Sequence, residues 1–406
     1  MVKAHSLLYA VYVCLLVGLL LGGLLLLSNM YNQLNLYYAT HEGLYSNNLS
    51  TINYALGNQL VLDEELLQDE NTGIQSAFQT KKHGLHTVLL TQSFLQNDTV
   101  QSAHFVGKKL NSQDALYVAN FTQPLSASGK VTVKGNSYLP SERIKETYIQ
   151  NKPNIISFQG TKKISEIQLP KLSEDCQQLF DNQKTFKTNF KELEAKNDSV
   201  YFNSFFKETL EIELASPNLE NKVIKGNFVI SSRDSIVIRK NNILEDVIIK
   251  APKVTIESGF EGTIQVLATE RIFVGKETKL NYPSTLCLLN ENEEKEATIF
   301  IDEDVKMAGL ILAFGNDVLH LNQNNIELGE NISISGIIYC SGTLILKGSV
   351  FGSVFASKLL HKTTSASYAN CLADVTIDIT RKPKVFIDFP IFNNQNQHYG
   401  IVKKVL

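Results

Sequence analysis

Asp302 and Asp304 flank Glu303 directly after the apolar run Ile299-Phe300-Ile301. Alternation along a strand would turn both aspartates to one face, where one carboxyl could serve as general acid and the other as base. The same three residues also fit a solvated turn. Other chemistry-bearing residues are scattered. His83 and His86 are three apart, yet no nearby Cys or carboxylate completes a zinc set, and none of the eight His residues falls in an H-E-x-x-H pattern. Gly275-Lys276-Glu277-Thr278 has the ending of a phosphate loop, but Glu270 stands where the first Gly belongs, and no G-x-S-x-G elbow occurs. The chain is therefore expected to be non-catalytic and to need no cofactor or metal.

The five cysteines give no spacing that predicts a bridge. Cys14 lies inside an apolar run, Cys287 and Cys340 read as buried fillers of strands, Cys176 falls in a helical stretch and Cys371 in a loop. Composition narrows the function classes further. In 406 residues, 38 Lys+Arg against 41 Asp+Glu leave a net charge of -3, which argues against a nucleic-acid binder with its basic face. Charged residues make up 19%, below the roughly 25% of ordinary soluble chains. Trp is absent, which tells against a sugar-stacking groove.

Much of the charge deficit is local. Leu7 to Leu27 carries no charged group, and about 20 such residues span a bilayer's hydrocarbon core. Lys3 precedes the run, while the next Lys or Arg is Lys81, so residues 1–6 are placed in the cytoplasm, 7–27 in the membrane and the rest outside it. The run exceeds a signal peptide's apolar region and no A-x-A-like site follows, which favours an uncleaved anchor over a cleaved leader. Gly18, Gly22 and Gly23 form a small-residue pattern suited to packing another membrane helix.

Beyond Ser28 the apolar positions thin into a stripe of Leu34, Tyr38, Tyr45, Leu49, Ile52, Leu56 and Leu60, with His41 in the series. This spacing predicts a helical stalk over 28–83 with one face packed on a partner or on its own domain. Lys3-Ala4-His5-Ser6-Leu7-Leu8 and the following run, about 55 residues in all, resemble the opening helix of accessory pseudopilins. That resemblance implies a place in a pilus-like or secretion apparatus.

From about Gly84 the period becomes strand-like. A first β region is expected over 84–170, carried by runs such as His86–Leu90, Ala115–Val118 and Lys130–Lys134. In 171–218, Leu179, Phe186, Phe190 and Leu193 recur at helical spacing and predict a helical insertion. Short Ile/Val strands then dominate 219–380, with Gly309, Gly336, Gly348 and Gly352 each just ahead of apolar residues. Strands too short to bury a face alone gain stability by stacking, so a right-handed β-helix or β-solenoid is expected, a β-sandwich being the competitor. The stretch is similar to bactofilin-type and adhesin-type solenoids in its Ile/Val-Gly rhythm. Arg143-Ile144-Lys145 matches a pectinase-like tripeptide without its Gly-His-Gly companion. The tail, 381–406, reads as a cap over the last open edge, built around Val385–Pro390.

The expected protein is mainly β, with a membrane helix, a helical stalk and an exported β body facing the periplasm or the cell surface. Its expected task is scaffolding, with the bilayer, envelope or pilus-like proteins and further copies of itself as partners. The alternative is a membrane-tethered β-helix that binds or cleaves polysaccharide.

Overall fold

The computed structural model describes residues 4–58, 65–69, 72–109, 113–149, 153–177, 185–190, 200–290, 292, 295–315, 323–383, 386–387, 391–392 and 398–405. Contact clustering separates two compact units: residues 1–79 with 91–102, and residues 80–90 with 103–406.

The first unit is built on one helix, Ala4–Gly57, of 54 residues. At about 1.5 Å per residue it is about 80 Å long. The helix has no Pro to break it and stops at Gly57, the residue least suited to a helix interior after Pro. Asn58 N closes the last turn on Tyr54 O at 3.0 Å. The stalk expected to run to residue 83 therefore ends early. Glu65–Gln68 and Gln75–His83 are strands, paired antiparallel from Glu65↔Phe78 to Gln68↔Gln75. The reversal is made by Gly73 at φ 71°, whose N–H donates to Asp69 O at 2.8 Å.

The helix face that packs overlaps the apolar stripe at Ile52 and the half-buried Leu56 but leaves its other described members exposed. Leu34, Tyr38, Tyr45 and Leu49 are exposed, while Leu44, Asn48, Thr51, Ile52 and Ala55 are buried. Asn48 makes this possible. Its Oδ1 accepts from Ser102 Oγ at 2.7 Å and Thr91 Oγ1 at 3.2 Å, and its Nδ2 donates to Val100 O at 3.4 Å. A buried amide satisfied by three partners is tolerated and orients the helix on the strands.

The second unit is mainly parallel β. Three ladders run through it, each pairing a strand with one roughly a repeat later. The first includes Val223–Gly226, Ile243–Glu245, Lys279–Leu280 and Ser333–Ser335. The second includes Phe228–Ser231, Val247–Lys250, Thr285–Asn290 and Gly309–Gly315. The third holds Ser235–Ile238, Lys253–Ile256, Arg271–Val274, Ala297–Ile301 and Asn324–Leu328. In the third, Ile236, Val254, Ile272, Ile299 and Ile326 stand in register and are fully or almost fully buried, with exposed or half-buried neighbours between. Each such side chain contributes about 1.5–3 kcal/mol on burial. The pattern is compatible with a β-helix.

The second ladder is buried on both sides, which is why its strands read as unbroken apolar runs. Val266, Leu286, Ile311, Ile338 and Val354 enter the inner core. Their neighbours Leu267, Cys287, Leu312, Tyr339 and Phe355 enter a second cluster on the outer side, completed by Leu172, Cys176 and Ile391. Backbone ties hold these covering segments. Tyr339 Oη donates to Pro170 O at 3.2 Å, Tyr282 Oη to Ile387 O at 2.8 Å, and Ser173 N to Ile391 O at 2.7 Å.

Strand order departs from chain order at one place. The first ladder passes from Val375–Asp378 to Lys130–Lys134 and then Ile155–Gln159; the second passes from Val354–Ala356 to Leu116–Val118. Residues 114–164 are thus not a separate β region but extend the ladders of 219–380. They, not the tail, cover the edge left by Gly348–Lys362 and Val375–Asp378. The tail strand His398–Val405 pairs antiparallel with Ala103–Lys109 instead. The strand expected around Val385–Pro390 lies largely outside the described residues. Among the described residues of the expected helical insertion, Glu174–Gln177 and Phe190 are helical, while Phe186–Thr188, Tyr201–Asn203 and Leu210–Glu213 are strands. Pairing of Phe186 with Leu210, and Leu210 with Phe228, satisfies the backbone that helical spacing would have satisfied locally. Leu179 and Leu193 lie outside the described residues.

Two features lock the register. Ser284, Gly309, Gly336 and Gly352 are opposite one another in successive rungs. The three glycines have φ of 145°, 142° and 157°, and a Cβ on each would overlap the carbonyl oxygen of the preceding member. At the break in chain order, buried Asp378 accepts from Thr380 N at 3.1 Å and pairs with Lys134 Nζ at 3.1 Å. Burial alone would raise the Asp378 carboxyl, but the Thr380 and Lys134 contacts outweigh it and hold it below its ordinary value.

Gly336→Ala is expected to destabilise the protein by at least about 2 kcal/mol in thermal or urea unfolding, through strain plus carbonyl overlap. Gly18→Ala, whose Cβ meets nothing within 4 Å, is the control. Asp378→Ala is expected to cost about 1–3 kcal/mol at pH 7. A depressed carboxyl stabilises the fold above its unfolded value and loses that effect as pH falls, so the gap between wild type and variant should close below about pH 4.

Candidate functional site

The helix Ser6–Gly57 is the one described helix long and apolar enough to cross a membrane by length and composition. Side chains from Leu7 to Leu27 are exposed throughout. Tyr9 and Tyr12 lie within the first turns of the run, and Tyr31, Tyr37 and Tyr38 follow it, so that aromatic rings stand near both of its ends. Gly18 and Gly22 share a helix face and Gly23 lies beside it; a Cβ at any of them would meet nothing within 4 Å. That face is a shallow strip against which a second helix can approach closely.

Asp302 and Asp304 do not share a strand face. The strand ends at Ile301, and both aspartates belong to the turn beyond it. Asp302 Oδ1 accepts from Glu303 N at 2.8 Å. Asp304 sits at φ 59° and donates its N–H to Glu330 O at 3.1 Å. Glu277 at φ 57° makes the equivalent bond to Glu303 O at 3.2 Å. The carboxylate spacing thus serves turns that stack rung on rung, and strand alternation does not reach it. Between the aspartates, Glu303 pairs with Lys276 at 2.8 Å in the open. Each holds the other charged, the Glu303 carboxyl below and the Lys276 ammonium above its ordinary value. Phe300, next to this turn, stacks on Phe273 at 5.5 Å with planes 5° apart, and the Arg271 guanidinium lies over Phe273 at 6.0 Å. Those ring faces are engaged with each other, which leaves little flat platform for a sugar.

A polar cleft of about 550 Å³ forms where these turns shorten. The turn through Gly329-Glu330-Asn331 is followed one rung later by the tighter Lys347-Gly348, with Asn331 at φ 57° and Gly348 at φ 91°. The antiparallel pairing of Leu360–Lys362 with Ser367–Ala369 raises a wall beside the notch. Glu330, Lys347, His361, Lys362, Thr363 and Asp374 supply its charged and polar groups. Glu330 and Lys347 are 3.7 Å apart, and Asp374 Oδ1 accepts from Lys130 N at 3.0 Å. Groups of both signs with hydroxyls suit a hydrophilic ligand. Its residues come from segments up to hundreds of positions apart, and no sequence signal joined them. Arg143-Ile144-Lys145 is not among the cleft's lining.

Among the described residues no three His, Cys, Asp or Glu side chains gather to hold a metal. The buried thiols are unreactive by environment. Burial pushes Cys340 up to about 12 and Cys287 well above its usual value. Iodoacetamide at pH 8 is expected to spare Cys287 and Cys340 in the native protein and to alkylate both after denaturation; peptide mass spectrometry reads the difference. No protein-family model, curated protein or solved structure matches the chain.

Proposed function

We propose that this chain is a non-catalytic, membrane-anchored scaffold of the cell envelope, its N-terminus cytoplasmic and its body exported as a right-handed β-helix. The observation that carries the reading is one unbroken helix with two kinds of surface. Its first half is apolar and exposed, while Leu44, Asn48, Thr51, Ile52 and Ala55 in its second half are buried, with the Asn48 side chain hydrogen-bonded to Thr91, Val100 and Ser102 of its own strands. A helix held in this way acts as a rigid post rather than a flexible tether. Its pilin-like opening supports a role as accessory component of a pilus-like or secretion apparatus. Gly18, Gly22 and Gly23 are the contact strip for another copy or for a partner's membrane helix.

The test is chemical crosslinking in intact membranes followed by detergent extraction and mass spectrometry. Wild type should stay in the membrane pellet through an alkaline carbonate wash and crosslink to anchored envelope proteins or to itself. Gly18→Leu with Gly22→Leu should keep the pellet and lose at least half of the crosslinked product. Recovery of the wild type alone would sink the scaffold reading.

The polar cleft favours a second reading, a tethered β-helix that binds polysaccharide. Lys347→Ala and Lys362→Ala would then weaken retention on an acidic polysaccharide column at 50 mM salt about tenfold. Equal retention of wild type and variants removes this reading.

A further inference from the structure

We propose that the tip of the hairpin His83-Gly84-Leu85-His86 is an acid-sensitive latch: in mildly acidic medium its two imidazoles take up protons and the tip leaves the parallel sheet while the ladders stay folded. The inference is independent of the scaffold reading. The tip is docked by a keyed set of contacts within the second unit. Gln265, almost fully buried in the second ladder, accepts from Leu85 N at 2.9 Å and donates to His83 O at 2.9 Å. Gly84, at φ 62°, lets the turn close on the Gln265 amide, whose oxygen a Cβ would strike at 2.5 Å. His83 Nε2 meets Asp246 O at 2.9 Å and His86 Nε2 meets Pro283 O at 3.2 Å. The rings pack in an aromatic nest, His83 on Phe205 at 5.0 Å and His86 on Phe105 at 4.7 Å.

The site suits neutral imidazoles and rejects charged ones. Both histidines are 1% exposed. The cation facing them is Lys403 on His398–Val405, held by Asp246 Oδ2 at 2.8 Å and Glu245 Oε1 at 2.9 Å. Lys225 lies 3.1 Å from Glu245. The other groups at the tip are neutral: Gln265, the Pro283 carbonyl, Phe105 and Phe205. On the neighbouring strands, burial and Lys404 hold His104 below its ordinary value. Burial lowers His83 from 6.5 to about 4, and burial, His83 and Lys403 lower His86 well below 6.5. A histidine depressed in the docked state stabilises docking fully above about pH 6.5 and loses that effect as pH falls toward its docked value. From His83 alone, the docked-to-undocked ratio falls about 30-fold between pH 7.5 and pH 5. His86 adds to the fall. Asp246, whose carboxyl burial raises, opposes part of it by taking up a proton more readily when folded.

Hydrogen–deuterium exchange on the full chain in detergent, corrected for intrinsic rates, tests the latch. Protection of peptides covering 80–90 should fall about 30-fold from pH 7.5 to pH 5, while peptides covering 264–274 keep theirs. In the double variant His83→Gln, His86→Gln the acid-dependent fall should vanish. Gln265→Ala provides a second arm: less protection of 80–90 at pH 7.5 with the same acid dependence. Unchanged protection of 80–90 at pH 5, simultaneous loss over 264–274, or an acid-dependent fall surviving in the double variant overturns the latch.

Discussion

Backbone must lie on backbone in the same register, rung after rung, or none of the second unit's interior closes. Ser284, Gly309, Gly336 and Gly352 show the constraint at its tightest, because each glycine approaches the carbonyl before it more closely than any side chain permits. A slip of one residue would turn Ile311, Ile338 and Val354 outward and bring Leu312, Tyr339 and Phe355 into the inner core. Both sides of that ladder are packed, so the slip has no acceptable alternative. The glycine column therefore sets which residues face the inner core and which face the covering segments.

The same constraint decides where polar chemistry is possible. Rungs filled by Ile, Val and Leu leave charged groups only at turns, at excursions and on outward positions. Asp302 and Asp304 are taken up in a turn whose Asp302 N–H bonds Val274 O of the rung before and whose Asp304 N–H bonds Glu330 O of the rung after. The cleft arises one step along, where Lys347-Gly348 makes a shorter turn than Glu330-Asn331 and a hairpin stands beside it. His83 and His86 reach the sheet from an excursion and bring buried imidazoles to it.

Some of this was legible from residue order. The charge-free run Leu7–Leu27 and the alternation in Ile236-Val237-Ile238 or Ile299-Phe300-Ile301 report burial directly, since apolar groups recur at the period of the element that buries them. The packed face of the helix was only partly legible, because the buried Asn48 is satisfied by Thr91, Ser102 and Val100, which its own sequence neighbourhood does not name. Phe186 and Phe190 carried a helical spacing, yet Phe186 is in a strand because Leu210 lies beside it. Likewise residue order left Asp302 and Asp304 as either a carboxylate pair or a solvated turn, and the left-handed φ of Asp304 belongs to a turn.

Residue order alone sets the membrane-length apolar segment, the strand-rich body and the near-neutral charge, all of which follow from which side chains recur and how often. Tertiary structure alone decided that residues 114–164 continue the ladders past Asp378, that the tail pairs with Ala103–Lys109, and that the cleft and the histidine tip exist. The physical reason is that a parallel ladder satisfies each strand with a neighbour supplied from elsewhere. Any apolar strand of the right length presents the same backbone groups, so local sequence does not name its partner. The partner is selected by side-chain fit across the rungs and by points such as Gly336, Asp378 and Gln265, where only one arrangement leaves no overlap and no unsatisfied group.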